Sequence, residues 1–491
     1  MKRFTSFGTF IIVIFLTTSL FASGVALTGI GARATALGGN FRAIASDWSA
    51  MFWNPAGIAQ IKGFHVGGSF ELIMPGAKYM LAQNLPPFSV YRTTEFENEP
   101  KTFPIPAAGF VYGTEKMSFG LSFFAPFGLG SKWDAMNTNA YNSAYPEFEF
   151  EDDLQVIDIH PTFAYQINEK LSVGVGFSFT LSDILIRKPT TTPNPLIFEP
   201  QLEPLRGILT QNQLGSLLSS NFNHILTDTE LKGDGTNFGF NFGLKYNINE
   251  DLSFGISGNY YNDVSLDGKI NANTYGAVIS QAEFTGYKGI LDQMLAGGLL
   301  PSDQYQQLLG IYSGQKIPKY TDEKGDATLP LPMTIGGGFA FTGVENLLIS
   351  ADVSWTQWSS WDLIEIDLEN GDKIELVEKW DDAIRFGLGL EYKVMDPLKL
   401  RAGYYTEPGV IPDQTLTITI PDINRRHAVS LGASYCVGSL NLFASYEKIL
   451  IGDRTVDAPW NYNAASLGYD NMAGTYKMDV NNIMFGLGVN F

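Results

Sequence analysis

The side chains in this chain best suited to metal or proton chemistry are four histidines, His65, His160, His224 and His427. No two of them stand at the His-Glu-x-x-His spacing that a helix needs to hold zinc. Gly255-Ile256-Ser257-Gly258 falls short of the Gly-x-Ser-x-Gly elbow of a serine hydrolase. Gly336-Gly337-Gly338 lies in a strand pattern and does not open a helix, so it cradles no phosphate. The acidic pairs Asp152-Asp153 and Asp381-Asp382 read as solvated loop or rim charges. The polar stretch from Trp460 to Asp470 lacks calcium-loop spacing. Cys436 is the single cysteine, which excludes an intramolecular disulfide and a zinc site built on several thiolates. It sits in an apolar strand pattern as a small wall residue. These residues lead us to expect no enzyme, no cofactor and no metal.

The elements around them carry a different message. At the carboxy terminus Phe485, Leu487, Val489 and Phe491 alternate with Gly486, Gly488 and Asn490. One face of such a strand is apolar and the other small or polar. The pattern recurs at Leu171–Phe179, Phe238–Leu244 and Ile384–Tyr392. A soluble core could bury such faces, but the recurrence and the terminal aromatic fit a transmembrane β-barrel, apolar toward lipid and polar toward the lumen. The abundance of phenylalanine, tyrosine and glycine suits interfacial girdles and crowded strands. A formal charge of −19 excludes a nucleic-acid partner.

Lys2 and Arg3, the apolar run Phe10 to Leu16 and the small Ala22-Ser23-Gly24 read as a signal peptide over residues 1–24, cleaved after Ala22 or Gly24. No stretch approaches the ~20 apolar residues of a spanning helix. The exported chain can therefore enter a bilayer only as a closed barrel, in which all backbone groups are paired. Residues 25–62 are apolar but broken by Pro55 and Gly57, as suits a plug inside a lumen. From residue 63 to 491 about fourteen strands are expected, joined by short turns such as Asn168-Glu169-Lys170, Asn249-Glu250-Asp251 and Met395-Asp396-Pro397. Residues 193–228 and 280–320 lack alternation. Leu214, Leu217, Leu218 and Phe222 share a helical face; so do Ile290, Leu291, Met294 and Leu295, and then Tyr305, Leu308, Leu309 and Tyr312. These long loops should lie outside the cell, either capping the barrel or capturing ligand.

Taken in order, the motifs resemble the FadL/TodX family of outer-membrane transporters for hydrophobic compounds. Trp53-Asn54-Pro55-Ala56-Gly57 is similar to its Asn-Pro-Ala hatch, and Ala125-Pro126-Phe127-Gly128-Leu129 to its kinked third strand. Leu331-Pro332-Met333 and Asp352 to Ser359 match its central strands; Arg401-Ala402-Gly403, Pro421-Asp422 and Arg425 match its late strands. The resemblance implies an all-β, 14-stranded antiparallel barrel with an N-terminal helical hatch in the lumen. It implies passive outer-membrane uptake of a long-chain fatty acid, or of another hydrophobic molecule such as an aromatic hydrocarbon. Capture would occur at outer loops, followed by an apolar pocket and a sideways exit into membrane lipid at Ala125, Pro126, Phe127 and Gly128.

Pro126 lacks an N–H and Gly128 tolerates unusual dihedrals; the pair either opens the wall or ends the strand at the rim. Asn54, Pro55 and Ala56 form either a gating element or a purely structural turn. Arg187, Lys188 and Lys379 lie at positions similar to the family's outer ligand site. Arg385, Glu407 and Arg425 read as lumen charges that pair with one another or touch ligand. Phe491 should engage the barrel-assembly machinery, and a monomer is expected. A structural or adhesion barrel is the reading from a different class.

Overall fold

The computed structural model describes residues 24–27, 29–81, 95–133, 149–193, 206–207, 209–217, 224–276, 279–420, 422–457 and 472–491. The expected leader, apart from Gly24, and the Trp460–Asp470 stretch lie outside the described residues.

Strands with a two-residue period close into one antiparallel wall of 14. They are β1 (Gly63–Leu81), β2 (Phe103–Gly113), β3 (Met117–Trp133), β4 (Phe150–Gln166), β5 (Leu171–Pro193), β6 (His224–Asn247) and β7 (Leu252–Tyr261). The second half is β8 (Thr334–Val344), β9 (Leu347–Thr356), β10 (Ala383–Met395), β11 (Leu398–Glu407), β12 (Arg426–Val437), β13 (Leu440–Ile451) and β14 (Gly474–Asn490). Each wall strand pairs with its neighbours in chain order, and β14 returns to β1 from His65↔Asn490 to Leu81↔Gly474. Closure pairs the first strand with the last, so no free sheet edge runs the length of the wall.

Phe177, Phe238, Leu388 and Phe485 point outward and are each more than half exposed, while Ser122, Asn241, Ser257 and Ser430 on the opposite face are buried in the lumen. The lumen is filled at one end by helices α1 (Ala32–Ala36) and α2 (Ala50–Trp53) and a 3₁₀ turn, Pro55–Gln60. Leu37, Phe41, Trp48, Met51 and Ile58 of this hatch form one apolar cluster with Val111 and Phe124 of the wall. The hatch also explains why glycine alternates with phenylalanine. A Cβ on Gly174 would lie 2.4 Å from the Pro55 carbonyl carbon, and one on Gly243 would lie 2.1 Å from Asn54 Oδ1. Glycine therefore faces inward at these points of close approach between hatch and wall.

Helices α3 (Gln211–Leu217), α4 (Gln281–Ala296) and α5 (Ser302–Tyr312) occupy the two long loops. Ile290, Leu291, Met294, Tyr305, Leu308 and Tyr312 are buried in one cluster, whereas Leu295 is 36% exposed. Leu218 and Phe222 lie outside the described residues. Both loops are shorter than the alternation implied. β5 reaches Pro193 and β6 resumes at His224, paired throughout; strand Ile317–Leu329 begins inside the second loop. Backbone pairing with a neighbour sustains these strands where the side chains stop alternating. Beyond the wall, Val264–Tyr275, Ile317–Leu329, Leu363–Leu368 and Lys373–Val377 extend the sheet from the outer half of β6.

Candidate functional site

One seam of the wall opens part-way along its length. β2 and β3 pair only from Gly113↔Ser118 to Ala108↔Phe123. Above that point β2 remains paired to β1 as far as Phe103, and β3 to β4 as far as Trp133, but they leave each other. The register of β3 against β4 shifts between Phe124 and Phe127, so Ala125 and Pro126 form a bulge. Pro104, Pro106 and Pro126 flank the gap, and none has an N–H to bridge it. The gap is bounded above by a backbone bond from Glu99 N–H to the Lys132 carbonyl, 2.8 Å. It is a window, not a frayed end.

The chain's own amino-terminal segment sits behind it. Leu27 N–H donates to the Pro126 carbonyl and Gly128 N–H to the Val25 carbonyl, both at 3.0 Å, and Ala26 bridges Phe127. A Cβ on Gly128 would stand 3.1 Å from Leu27 Cδ1. Phe127 meets Tyr261 and Trp358 edge-on, and Trp358, Trp361 and Trp380 pack together, with Trp358 and Trp380 against Gly24. The tryptophan cluster was not expected. Trp358 and Trp361 flank one short turn, and the hairpin formed by Leu363–Leu368 and Lys373–Val377 returns Trp380 to them.

A cavity of about 640 Å³ runs through this region, within the usual range for small-molecule sites. Ile420, Ile449 and Val480 line its lumen side, while Phe123 and Ile157, both lipid-facing and over 40% exposed, line its outer side. Its inner roof comes from the connection between β11 and β12, where Val410, Leu416, Ile418 and Ile420 are buried. The alternation of Thr415-Leu416-Thr417-Ile418-Thr419-Ile420 was the available signal for an inward-folded loop.

The expected charges distribute unevenly around this cavity. Arg425 does not face the lumen; its Nη1 donates to Thr406 Oγ1 at 3.2 Å on the outer side of the wall. The strand period hands the lumen position to its neighbour Arg426, which lines the cavity. Glu407 is buried and pairs in register with Arg426. Asp422 Oδ1 lies 3.3 Å from the guanidinium, and burial pushes its carboxyl up to about 6. Arg385 reaches the Gly38 carbonyl of the hatch at 2.8 Å and stacks on Tyr405, away from the cavity. Arg187 is held between Glu149 and Asp228 at the outer end of β5, with Lys188 beside Asp152. Lys379 is exposed in a turn with φ near 50° and does not line the cavity.

In the hatch, Asn54 accepts from Ala56 N–H at 3.2 Å and donates to the carbonyls of Arg42 (2.8 Å) and Leu244 (3.1 Å). Pro55 opens the 3₁₀ turn, with Ala56 buried behind it. Asn54 is thus the pin between hatch and wall.

One group of side chains has the composition of a catalytic triad. Ser178 Oγ donates to Asp158 Oδ2 at 2.8 Å and meets His160 Nδ1 at 3.0 Å, with all three side chains buried. The hydroxyl donates to the carboxylate, and His160 Nδ1 also lies 3.3 Å from Asp158 Oδ2, so the three form one buried polar cluster. The group buttresses the window: His160 packs on Phe124, and Tyr261 donates to Asp158 while packing on Phe127.

Residues 13–491 match the outer membrane protein transport family OMPP1/FadL/TodX. The chain belongs to this family. Its strands therefore cross the bacterial outer membrane. It is 24% identical over 331 residues to the long-chain fatty acid transport protein of Escherichia coli strain K12, covering 64% of this chain and 66% of that protein. Its fold is that of a Pseudomonas aeruginosa FadL homologue (TM-score 0.70, 16% identity, 96% of this chain and 100% of the other). It is equally that of the P. putida toluene transporter TodX (TM-score 0.66, 17% identity, 95% and 99%).

Proposed function

We propose that this family member is a passive uptake channel for long-chain fatty acids or other hydrophobic molecules, and that the passenger leaves sideways through the β2–β3 window. The observation that carries the reading is the cavity that joins apolar lumen residues to lipid-facing ones across a gap in strand pairing. A hydrophobic passenger on this route never enters water, which keeps ~0.8 kcal/mol per CH₂ in hand. No step requires catalysis or a cofactor. Asn54, Pro55 and Ala56 hold the hatch that blocks the straight route to the periplasm, and Ala125 to Gly128 shape the exit.

The charges indicate how a fatty acid lies. Arg426 at the deep end is matched by Asp422 and Glu407, so that end suits an alkyl chain. Lys101 and Lys477 at the outer rim are paired with Asp153 and Glu95. Such exposed pairs are worth only about 0–1 kcal/mol and exchange readily for a ligand carboxylate. The same neutral deep end also accommodates an uncharged aromatic hydrocarbon, the second reading. The test is a fatty acid bearing a photoreactive group at its alkyl end, compared with a photoreactive toluene analogue. Label on the peptides containing Ile449 and Val480 supports the cavity route; label confined to the outer helices α4 and α5 overturns it.

A further inference from the structure

A second cavity, of about 480 Å³, lies on the other side of the hatch, between it and the wall from β11 round to β1. It shares no lining residue with the cavity behind the window. Its charge is the reverse of the molecule's. In a chain with a formal charge of −19, this cavity is lined by Arg33, Lys62, Lys399 and Arg401 against a single carboxylate, Asp47.

The cations converge on one buried acid just behind the lining. Glu391 receives Arg33 Nε at 2.9 Å, Arg401 Nε at 2.8 Å and Lys399 Nζ at 3.1 Å. One carboxylate thus serves three cations. Lys62 is held only by the carbonyls of Ala59 and Glu115 and by Gln166 Oε1. Behind it, Lys245 is held by the Ile44 carbonyl and Gln60 Oε1. Neither is ion-paired with a carboxylate among the described residues. Four lining cations against Asp47 and Glu391 leave two positive charges in excess. A partly buried excess of one sign calls for a counter-ion.

The remaining walls specify more than charge. Trp48 and Phe443 give the cavity an apolar side. His65, which is 6% exposed, places an Nε2 there that has no hydrogen-bond partner among the described residues. Its other nitrogen contacts Asn490 Oδ1. The cations suit an acceptor-rich head group and Trp48 and Phe443 an apolar body; with Nδ1 donating to Asn490, Nε2 of a neutral His65 ring is an acceptor and suits a donor beside them.

We infer that this cavity is a binding site for a small amphiphilic carboxylate, with Lys399, Arg401 and Arg33 receiving the head group and Trp48 and Phe443 the apolar body. Lys399 is the most accessible of the three cations, its side chain 41% exposed, and is the natural point of entry. The site stands whether or not the upper cavity conducts the passenger, because the two share no residues.

The probe is octanoate carrying a terminal diazirine, applied to the purified full chain in neutral detergent, with peptide mapping of the cross-links. Heat-modifiable gel migration confirms that each variant is folded. The expected result is label on the peptides containing Trp48 and Phe443, reduced about tenfold or more by Lys399→Gln, as for loss of a charged hydrogen bond, and retained in Lys399→Arg. Glu391→Gln, which adds net positive charge, should increase it. The diazirine analogue of octanol should label these peptides weakly, and inorganic phosphate should compete only poorly. Three results would each overturn the inference. They are equal labelling by the alcohol, labelling indifferent to Lys399→Gln, and full displacement by phosphate, which would make this a plain phosphate site.

Discussion

Two seams of the same wall behave in opposite ways. The seam between β14 and β1, which closes the barrel, is paired without interruption from His65↔Asn490 to Leu81↔Gly474. The seam between β2 and β3 is paired over six positions and then opens. Proline alone does not explain the difference. Pro75 lies inside the closed seam, in register with Val480. What distinguishes the open seam is a cluster: Pro104 and Pro106 on one strand, Pro126 in a bulge on the other, and a third segment, Val25 to Leu27, that takes the backbone bonds left over. A lone missing donor is absorbed by a ladder. Several missing donors plus an alternative partner redirect it.

Filling the window should have the largest effect on transport. Gly128→Arg drives a long cation into the space held by Leu27, and should lower uptake of a labelled long-chain fatty acid at least about tenfold, some 1.4 kcal/mol on the barrier. Binding to the outer loops should hardly change. Undiminished uptake by a folded variant would place the exit elsewhere.

The closed seam should fail differently, in assembly. The Phe491 N–H bonds to the Phe64 carbonyl at 2.8 Å, and its ring lies against Phe64. Deleting Phe491 should reduce heat-modifiable protein in the outer membrane severalfold, while the molecules that do assemble transport normally. Normal assembly of the truncated chain would refute a role for this residue in closure.

Asn54→Ala tests whether the hatch belongs with the open or the closed seam. It removes three hydrogen bonds to backbone, about 1–3 kcal/mol of local anchoring. Assembly should be unchanged, because the wall pairs without the hatch, and uptake should shift. Equal uptake at matched surface abundance would mark Asn54 as a structural pin only.

The smallest and sharpest comparison concerns the prolines. Restoring donors with Pro104→Ala and Pro106→Ala should narrow the window and slow uptake a few-fold, at about 0.5–1.5 kcal/mol for each bond regained. Pro75→Ala, in the closed seam, should leave uptake unchanged. Equal effects in the two seams would remove proline from the account.

The parts legible from sequence were those with local causes. Phe238-Gly239-Phe240 announces a lipid-facing strand because the pleat alternates sides whatever the fold. Tyr305, Leu308 and Tyr312 announce a helix face for the same kind of reason. Arg425 and Arg426 show the limit. The lumen charge was expected at Arg425, and a one-residue register gives it to Arg426 instead. The inward fold of residues 408–420 was only half legible: Thr415 to Ile420 alternate, but their isoleucines could as well have faced lipid.

By itself the sequence determined a barrel: the alternation, the lack of a spanning helix and the short turns permit no other way to satisfy the backbone in lipid. It also marked Pro126 and Gly128 as a break of some kind. Only the tertiary structure decided that the break is a window bounded at both ends, because that depends on which strand lies opposite and on Glu99 reaching Lys132 across the gap. It alone placed Val25 to Leu27 behind the window and gathered Arg33, Lys399 and Arg401 around Glu391. Lys399 and Arg401 reach Glu391 from the neighbouring strand of one hairpin, but Arg33 stands 358 residues from it, and no local preference encodes that meeting or the one between Leu27 and Pro126. Barrel closure brings them together.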